Sequence, residues 1–190
     1  GPRVLEWDPY DHLTSAHNKT YRGVDWPGMQ LIQRWDEGQY DFMLGQRREQ
    51  EQSGRIVPQV IEEYGYEDLW ENSLGQRSAE TRRRCAWEIS MAGGYQTTGE
   101  SARQGTGVPP DSGGGWVNGR GDDGMVLLPS QRPMMEFLQA LEWWRCNPMP
   151  DLASPPAIAL GDSGRAYAIY VPHGAPMSAS IQRGRYEARA

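Results

Sequence analysis

Two adjacent acids, Glu62 and Glu63, close the apolar and β-branched run Val60-Ile61, and Tyr64, Gly65, Tyr66 and Glu67 follow them. A carboxylate at the end of a buried strand is suited to nucleophilic or general acid–base chemistry. Successive strand residues point to opposite faces, so one of the two acids is expected to face a site. The residues themselves do not say which. The plain structural alternative is a solvated strand end that carries two acids.

Three other segments hold candidate groups. His17 and Asn18 follow the turn-forming Asp8-Pro9-Tyr10-Asp11 and can hydrogen-bond a hydroxyl or orient a carboxylate; turn capping by Asp8, Asp11 and Asn18 is the alternative. Glu100 follows Gly99 after a predicted strand, either as a site carboxylate or as a capping acid. The glycine-rich stretch 113–123 carries Trp116, Asn118, Arg120 and Asp122. Trp116 can wall a binding site with Arg120 as a polar contact, or the whole stretch is a surface loop.

The elements that must position these groups alternate. A helix end is expected over residues 3–13, running into the Asp8–Asp11 turn, and a short strand from Leu13 to Asn18. A second strand is expected from Met29 to Trp35. The polar stretch Tyr40–Gln52 has Tyr40, Met43 and Leu44 on one face, which suits a surface helix stopped by Ser53-Gly54. A strand over Pro58–Glu63 follows. Ser78 is a candidate cap for a helix whose Cys85, Ile89 and Ala92 form a buried stripe. Tyr95–Thr98 reads as a strand, 101–129 as a long loop, and Ser130–Pro133 as the start of a helix. Met134, Phe137, Leu138, Leu141 and Trp144 make the apolar face of that helix. Strands about 30 residues apart with helices between them predict a parallel sheet with crossover helices, hence an α/β fold.

After Asn147-Pro148 the texture changes. Pro155-Pro156 suggests a linker, and the runs 157–160, 166–171, 177–181 and 185–188 suggest antiparallel hairpins. The expected division is 1–150 for the α/β unit and 151–190 for the start of a β domain.

Composition narrows the partners. The net charge of -6 and the lack of a basic stripe disfavour nucleic acid. No apolar run reaches the roughly 20 residues that span a bilayer. His12, His17 and His173, like Cys85 and Cys146, lack metal-site spacing, so no metal or cofactor is expected. The two cysteines are either buried thiols or one disulfide. Eight Trp and nine Tyr against two Phe favour side chains with an apolar face and a polar tip. That combination suits a sugar ring, with its C–H faces and hydroxyl edges.

Taken in order, Asp8–His12 through His17-Asn18, Val60–Glu67, Gly93-Gly94-Tyr95 with Gly99-Glu100, Gly113–Asp123 and Tyr167–Gly174 resemble the C-terminal half of apiosidase-like glycoside hydrolases. Those are (β/α)8-barrel enzymes with an appended β-sandwich. The resemblance implies a TIM-barrel half with about strands five to eight, a carbohydrate substrate and a secreted or periplasmic location. It places the nucleophile at Glu63, with His17 ending strand five, Gln33 ending strand six and Glu100 after strand eight. Tyr66 or His17 is expected to donate to Glu63, and Trp35 and Tyr95 join the expected substrate contacts. Arg34 and Trp35 stand where relatives often carry His, which points to a different substrate preference. The family's acid/base residue, on strand four, is expected upstream of Gly1, so the chain alone is expected to be inactive. A non-catalytic carbohydrate-binding or scaffolding protein is the alternative function.

Overall fold

The computed structural model describes residues 2–15, 17, 24–67, 76–98 and 126–189. The chain is mixed α/β, with a parallel sheet and an antiparallel sheet. Helix α1 (Pro2–Trp7) runs into a turn organised by Asp8. The Asp8 carboxylate accepts from Tyr10 N–H at 3.0 Å and His12 N–H at 2.6 Å, and Oδ1 lies 2.9 Å from His12 Nδ1. These bonds, the one to Tyr10 first, hold Asp8 below the usual carboxylate range.

The expected strand from Leu13 is not formed by residues 13–15 or 17, and Asn18 lies outside the described residues. Hydroxyl groups take the place of a ladder there: Thr14 Oγ1 donates to Trp26 O at 3.3 Å and Ser15 Oγ to Met29 O at 2.9 Å. One backbone bond, Gly28 N–H to Thr14 O at 2.7 Å, accompanies them.

Strand β1 (Gln30–Gln33) leads to α2 (Gln39–Ser53) and then β2 (Gln59–Glu63). Two-residue strands β3 (Tyr66–Glu67) and β4 (Gln76–Arg77) pair in parallel. Next come α3 (Ala79–Met91), β5 (Tyr95–Gln96) and α4 (Leu127–Leu141). Strands β1, β2 and β5 are neighbours in that order and all parallel. Parallel neighbours need a crossover, which α2 supplies between β1 and β2 and α3 between β2 and β5.

Strand alternation sets the layers. Ile32 and Ile61 are buried against Met43 and Leu44 of α2, Cys85 and Ile89 of α3, and Met134 and Leu138 of α4. Gln30 and Gln59 are buried two residues earlier on their strands. Gln30 is satisfied by Gln50 Nε2 at 2.7 Å and by Gln46 Oε1 at 2.8 Å. Amide pairing thus satisfies the buried Gln30 at the N-terminal end of β1.

Helix α2 stops where the residues predicted. Gly54, at φ 71°, takes the left-handed conformation and returns its N–H to Gln50 and Glu51 carbonyls. Ser78 caps α3 through Thr81 N–H at 3.3 Å, and the Cys85/Ile89/Ala92 stripe is buried. Helix α4 begins at Leu127 rather than at Ser130, because a distant carboxylate, Glu67, caps it. Trp144 is not on its apolar face: α4 ends at Leu141 and Trp144 sits in a following 3-10 turn, 61% exposed. Phe137 is also exposed, with its ring edge against Trp87.

The C-terminal sheet consists of β6 (Asn147–Pro148), β7 (Ile158–Asp162) and β8 (Ala166–Tyr170), all antiparallel. The expected strand at 177–181 contributes one isolated bridge, Ala153 to Ala179, and 185–188 is irregular. Met177, Ile181 and Tyr186 remain exposed, so these runs lack a facing sheet that would bury them. The hairpin packs on the helix layer. Leu160 and Ala168 join the main core, Tyr170 stacks on Trp87 at 5.3 Å, and Tyr40 Oη donates to Ala159 O at 3.5 Å. Cys85 and Cys146 are both free thiols.

Candidate functional site

The C-terminal ends of β1 and β2 gather the candidate groups. The register slips between Ile32–Ile61 and Gln33–Glu63, so β2 contributes one residue more than β1. Without that bulge Glu62 would pair with Gln33. With it Glu63 does, and the backbone resumes with Arg34 N–H to Glu63 O at 3.1 Å.

Glu63 is held at both oxygens. Gln33 Nε2 donates to Oε2, and Tyr66 Oη donates to Oε1 at 2.5 Å. An amide from the neighbouring strand and a phenol from the next turn fix the carboxylate rotamer, and each oxygen retains a second lone pair. The Trp35 ring meets Tyr66 edge-on, with centroids 5.8 Å apart and planes at 89°. Gln33, Trp35, Glu63 and Tyr66 therefore form one cluster, with an aromatic wall beside a fixed carboxylate.

Glu62 belongs to a second pair. His17 Nδ1 lies 2.5 Å from Glu62 Oε1, so His17 meets Glu62 and not Glu63 as expected. Tyr95 also lies apart. It pairs in register with Val60, three residues before Glu63, and its ring packs on Trp143 at 5.0 Å. Asn18, Glu100, Trp116 and Arg120 lie outside the described residues.

The turn between Glu63 and Tyr66 is built on a buried cation. Arg82 is fully buried, and its Nη1 donates to Trp35 O at 3.0 Å and to Tyr64 O. Gly65 stands at φ 94°, and a Cβ there would approach Arg82 Nη1 to 2.5 Å. Only glycine meets both the dihedral and the clearance. Thr98 Oγ1 donates to Gly65 O at 3.1 Å and Thr97 N–H to Ile61 O at 3.0 Å, so the end of β5 braces the same turn. Beyond Tyr66, the buried Glu67 carboxylate accepts from Val126 N–H at 2.9 Å and Leu127 N–H at 2.8 Å. An anion at a helix start satisfies orphan donors and the helix dipole together.

Arg82 and Glu67 escaped the sequence reading. Arg82 did leave a signal: it precedes Cys85, Ile89 and Ala92 in phase with their stripe, so a charge was due on a buried face. Glu67 left none, because its partners lie 59 and 60 residues away.

The chain matches no family model, no curated protein and no solved structure. Among the described residues no group of three or more His, Cys, Asp or Glu side chains is placed to hold a metal ion, and no helix is long and apolar enough to cross a membrane.

Proposed function

We propose that the chain carries the nucleophile side of a retaining glycoside hydrolase of the apiosidase-like kind, acting on O-glycosidic bonds of plant-type or other complex polysaccharides. In this reading β1, β2 and β5 are consecutive strands of a (β/α)8 barrel, whose chemistry belongs at the C-terminal strand ends. The observation that carries the proposal is Glu63, oriented at that end by Gln33 and Tyr66 with Trp35 alongside.

Glu63 attacks the anomeric carbon as the bond to the leaving oxygen breaks. A carboxylic acid on another barrel strand, with its carboxyl about 5–5.5 Å from that of Glu63, delivers a proton to that oxygen. Water then attacks the glycosyl ester, the second carboxylate takes its proton, and Glu63 departs as the carboxylate. Trp35 offers aromatic surface to the C–H face of the sugar, with the buried Tyr66 ring behind it. Secretion, to the exterior or the periplasm, fits a polysaccharide substrate.

The test is Glu63→Gln in protein that contains the complete barrel, assayed on a panel of aryl glycosides. The expected result is a fall in kcat/KM of at least about 10³-fold, roughly 4 kcal/mol of lost transition-state stabilisation. Wild-type rates in that variant would refute the nucleophile. Glycan binding without turnover on any member of the panel would favour the non-catalytic reading.

A further inference from the structure

One nitrogen joins the aromatic wall to the turn that follows the nucleophile. Arg82 Nη1 donates both to the carbonyl of Trp35, two residues past the end of β1, and to that of Tyr64, one residue past the end of β2. The register of the two strands ends just before, at Gln33 and Glu63. Farther along, the same two segments meet again through their side chains. The Trp35 ring stands edge-on to Tyr66, and Tyr66 Oη donates to Glu63 Oε1 at 2.5 Å. The contacts thus close a circuit, from Arg82 through Trp35 and Tyr66 to Glu63, and back along the backbone to Tyr64. The Arg82 side chain is fully buried, so water is not at hand to replace a lost bond. A guanidinium stays charged and holds its donors in a rigid plane, which suits it to fixing two carbonyls at once. Gly65 leaves it the room: a Cβ there would come within 2.5 Å of Nη1 and 3.1 Å of Cζ.

We propose that Arg82 is a positioning residue that couples the wall at Trp35 to the carboxylate of Glu63. It ties the Trp35 and Tyr64 carbonyls to one point, which keeps the Tyr66 ring against Trp35 and its phenol on Glu63. A side chain that only filled space beneath Gly65 would fix neither carbonyl. The consequence for turnover rests on the glycosidase reading; the coupling of Arg82 to the Tyr66 phenol does not.

The decisive experiment is a carbon NMR spectrum of the chain, isotope-labelled at the tyrosine ring Cζ, whose shift follows the hydrogen bond of the phenol. The Tyr66 signal is assigned with Tyr66→Phe, and Glu63→Gln gives its position when the carboxylate is lost. Arg82→Met should move the Tyr66 signal in the same direction as Glu63→Gln. Arg82→Lys, which keeps the charge without the planar fork, should move it less, and Trp35→Leu should displace it as well. Unchanged Tyr40 and Tyr170 signals would report an intact fold. A Tyr66 signal indifferent to Arg82→Met would overturn the positioning role. Where Arg82→Met does not fold, wild type decides. The Nη1 protons of Arg82, identified by Overhauser contacts with the Gly65 α-protons, should exchange slowly and stay distinct from those of Nη2. Averaged, rapidly exchanging Nη signals would overturn the coupling. In barrel-complete enzyme, Arg82→Lys should lower kcat about 10-fold with KM nearly unchanged, within what a slight misplacement near the reacting atoms costs. Added to Tyr66→Phe, it should cost little more than Tyr66→Phe alone. Losses that multiply would make Arg82 a support of the fold alone. If Glu63 proves not to be the nucleophile, the Tyr66 signal still decides the coupling on its own.

Discussion

Gln33 and Glu63, 30 residues apart in the chain, are bonded side chain to side chain across the ends of adjacent parallel strands. The contact exists because β2 bulges by one residue just before it. A one-residue change of register exchanges which side chains share a face. The bulge therefore decides which of two neighbouring acids is fixed by Gln33 and Tyr66 and which is left to His17.

Tyr66→Phe separates the phenol from the ring. The ring still meets Trp35, but Oε1 of Glu63 loses its donor. We expect kcat/KM to fall about 10- to 100-fold, or about 1.4–2.7 kcal/mol. Denaturant melts should move by only about 1 kcal/mol, the net value of an ordinary hydrogen bond. Equal losses in stability and rate would mean that Tyr66 serves the fold alone.

Gly65→Ala should be severe. The new methyl group meets Arg82 Nη1 at 2.5 Å in a backbone conformation that L side chains rarely adopt. Strain of this kind costs on the order of 1–3 kcal/mol, and displacing a buried guanidinium from two carbonyls adds to it. Urea unfolding should show a loss above about 2 kcal/mol. A change within about 0.5 kcal/mol, the range of an ordinary surface substitution, would contradict the Arg82 support of this turn.

Glu67→Ala should uncap α4. Val126 and Leu127 lose their acceptor, and α4 is expected to start nearer Ser130, where the residues themselves placed it. The loss should be about 1–2 kcal/mol, with hydrogen exchange accelerated over the first turn of α4. Glu67→Gln, which keeps an oxygen but not the charge, should lose less. Unaltered exchange in Glu67→Ala would show that the cap is dispensable.

Much of the fold was legible because its signals are local. Gly54 and Ser78 mark helix ends by their own backbone chemistry, and the spacing of Cys85, Ile89 and Ala92 shows a buried face without reference to any partner. The start of α4 and the pairing of Gln33 with Glu63 depend on contacts between segments 59, 60 and 30 residues apart, beyond any local window. The candidate site follows the same division. Glu63 and Tyr66 stand three residues apart and were readable together, whereas the partition of His17 to Glu62 depends on the bulge. Tyr95 was grouped with the site by order along the chain, but its place at the start of β5 directs its ring to Trp143.

The core should also be sensitive to alkali. Burial, with the Asp41 charge second, pushes Tyr40 up to about 12 from an ordinary 10.0, and burial pushes Cys85 up to about 11 from 9.0. Both values are raised in the folded state. Their full contribution is therefore present below the unfolded values and is lost as pH rises, from about 9 to 11 for Cys85 and from about 10 to 12 for Tyr40. Each tenfold difference in proton affinity is about 1.4 kcal/mol, so stability should fall by a few kcal/mol across that window. Tyr40→Phe should flatten the upper part of the profile and Cys85→Ala the lower part. A stability that is flat from pH 9 to 12 would contradict the buried, neutral state of both groups.

Covalent trapping tests the role of Glu63 as nucleophile most directly. A 2-fluoro glycoside with an activated leaving group, incubated with barrel-complete protein, should leave one glycosyl ester that survives digestion and mass spectrometry. The ester is expected on the peptide containing Glu63, fragmenting to Glu63 itself and absent from Glu63→Gln. A label on any other carboxylate, Glu62 included, or turnover of such substrates without any trapped ester, would contradict the assignment of Glu63 as nucleophile.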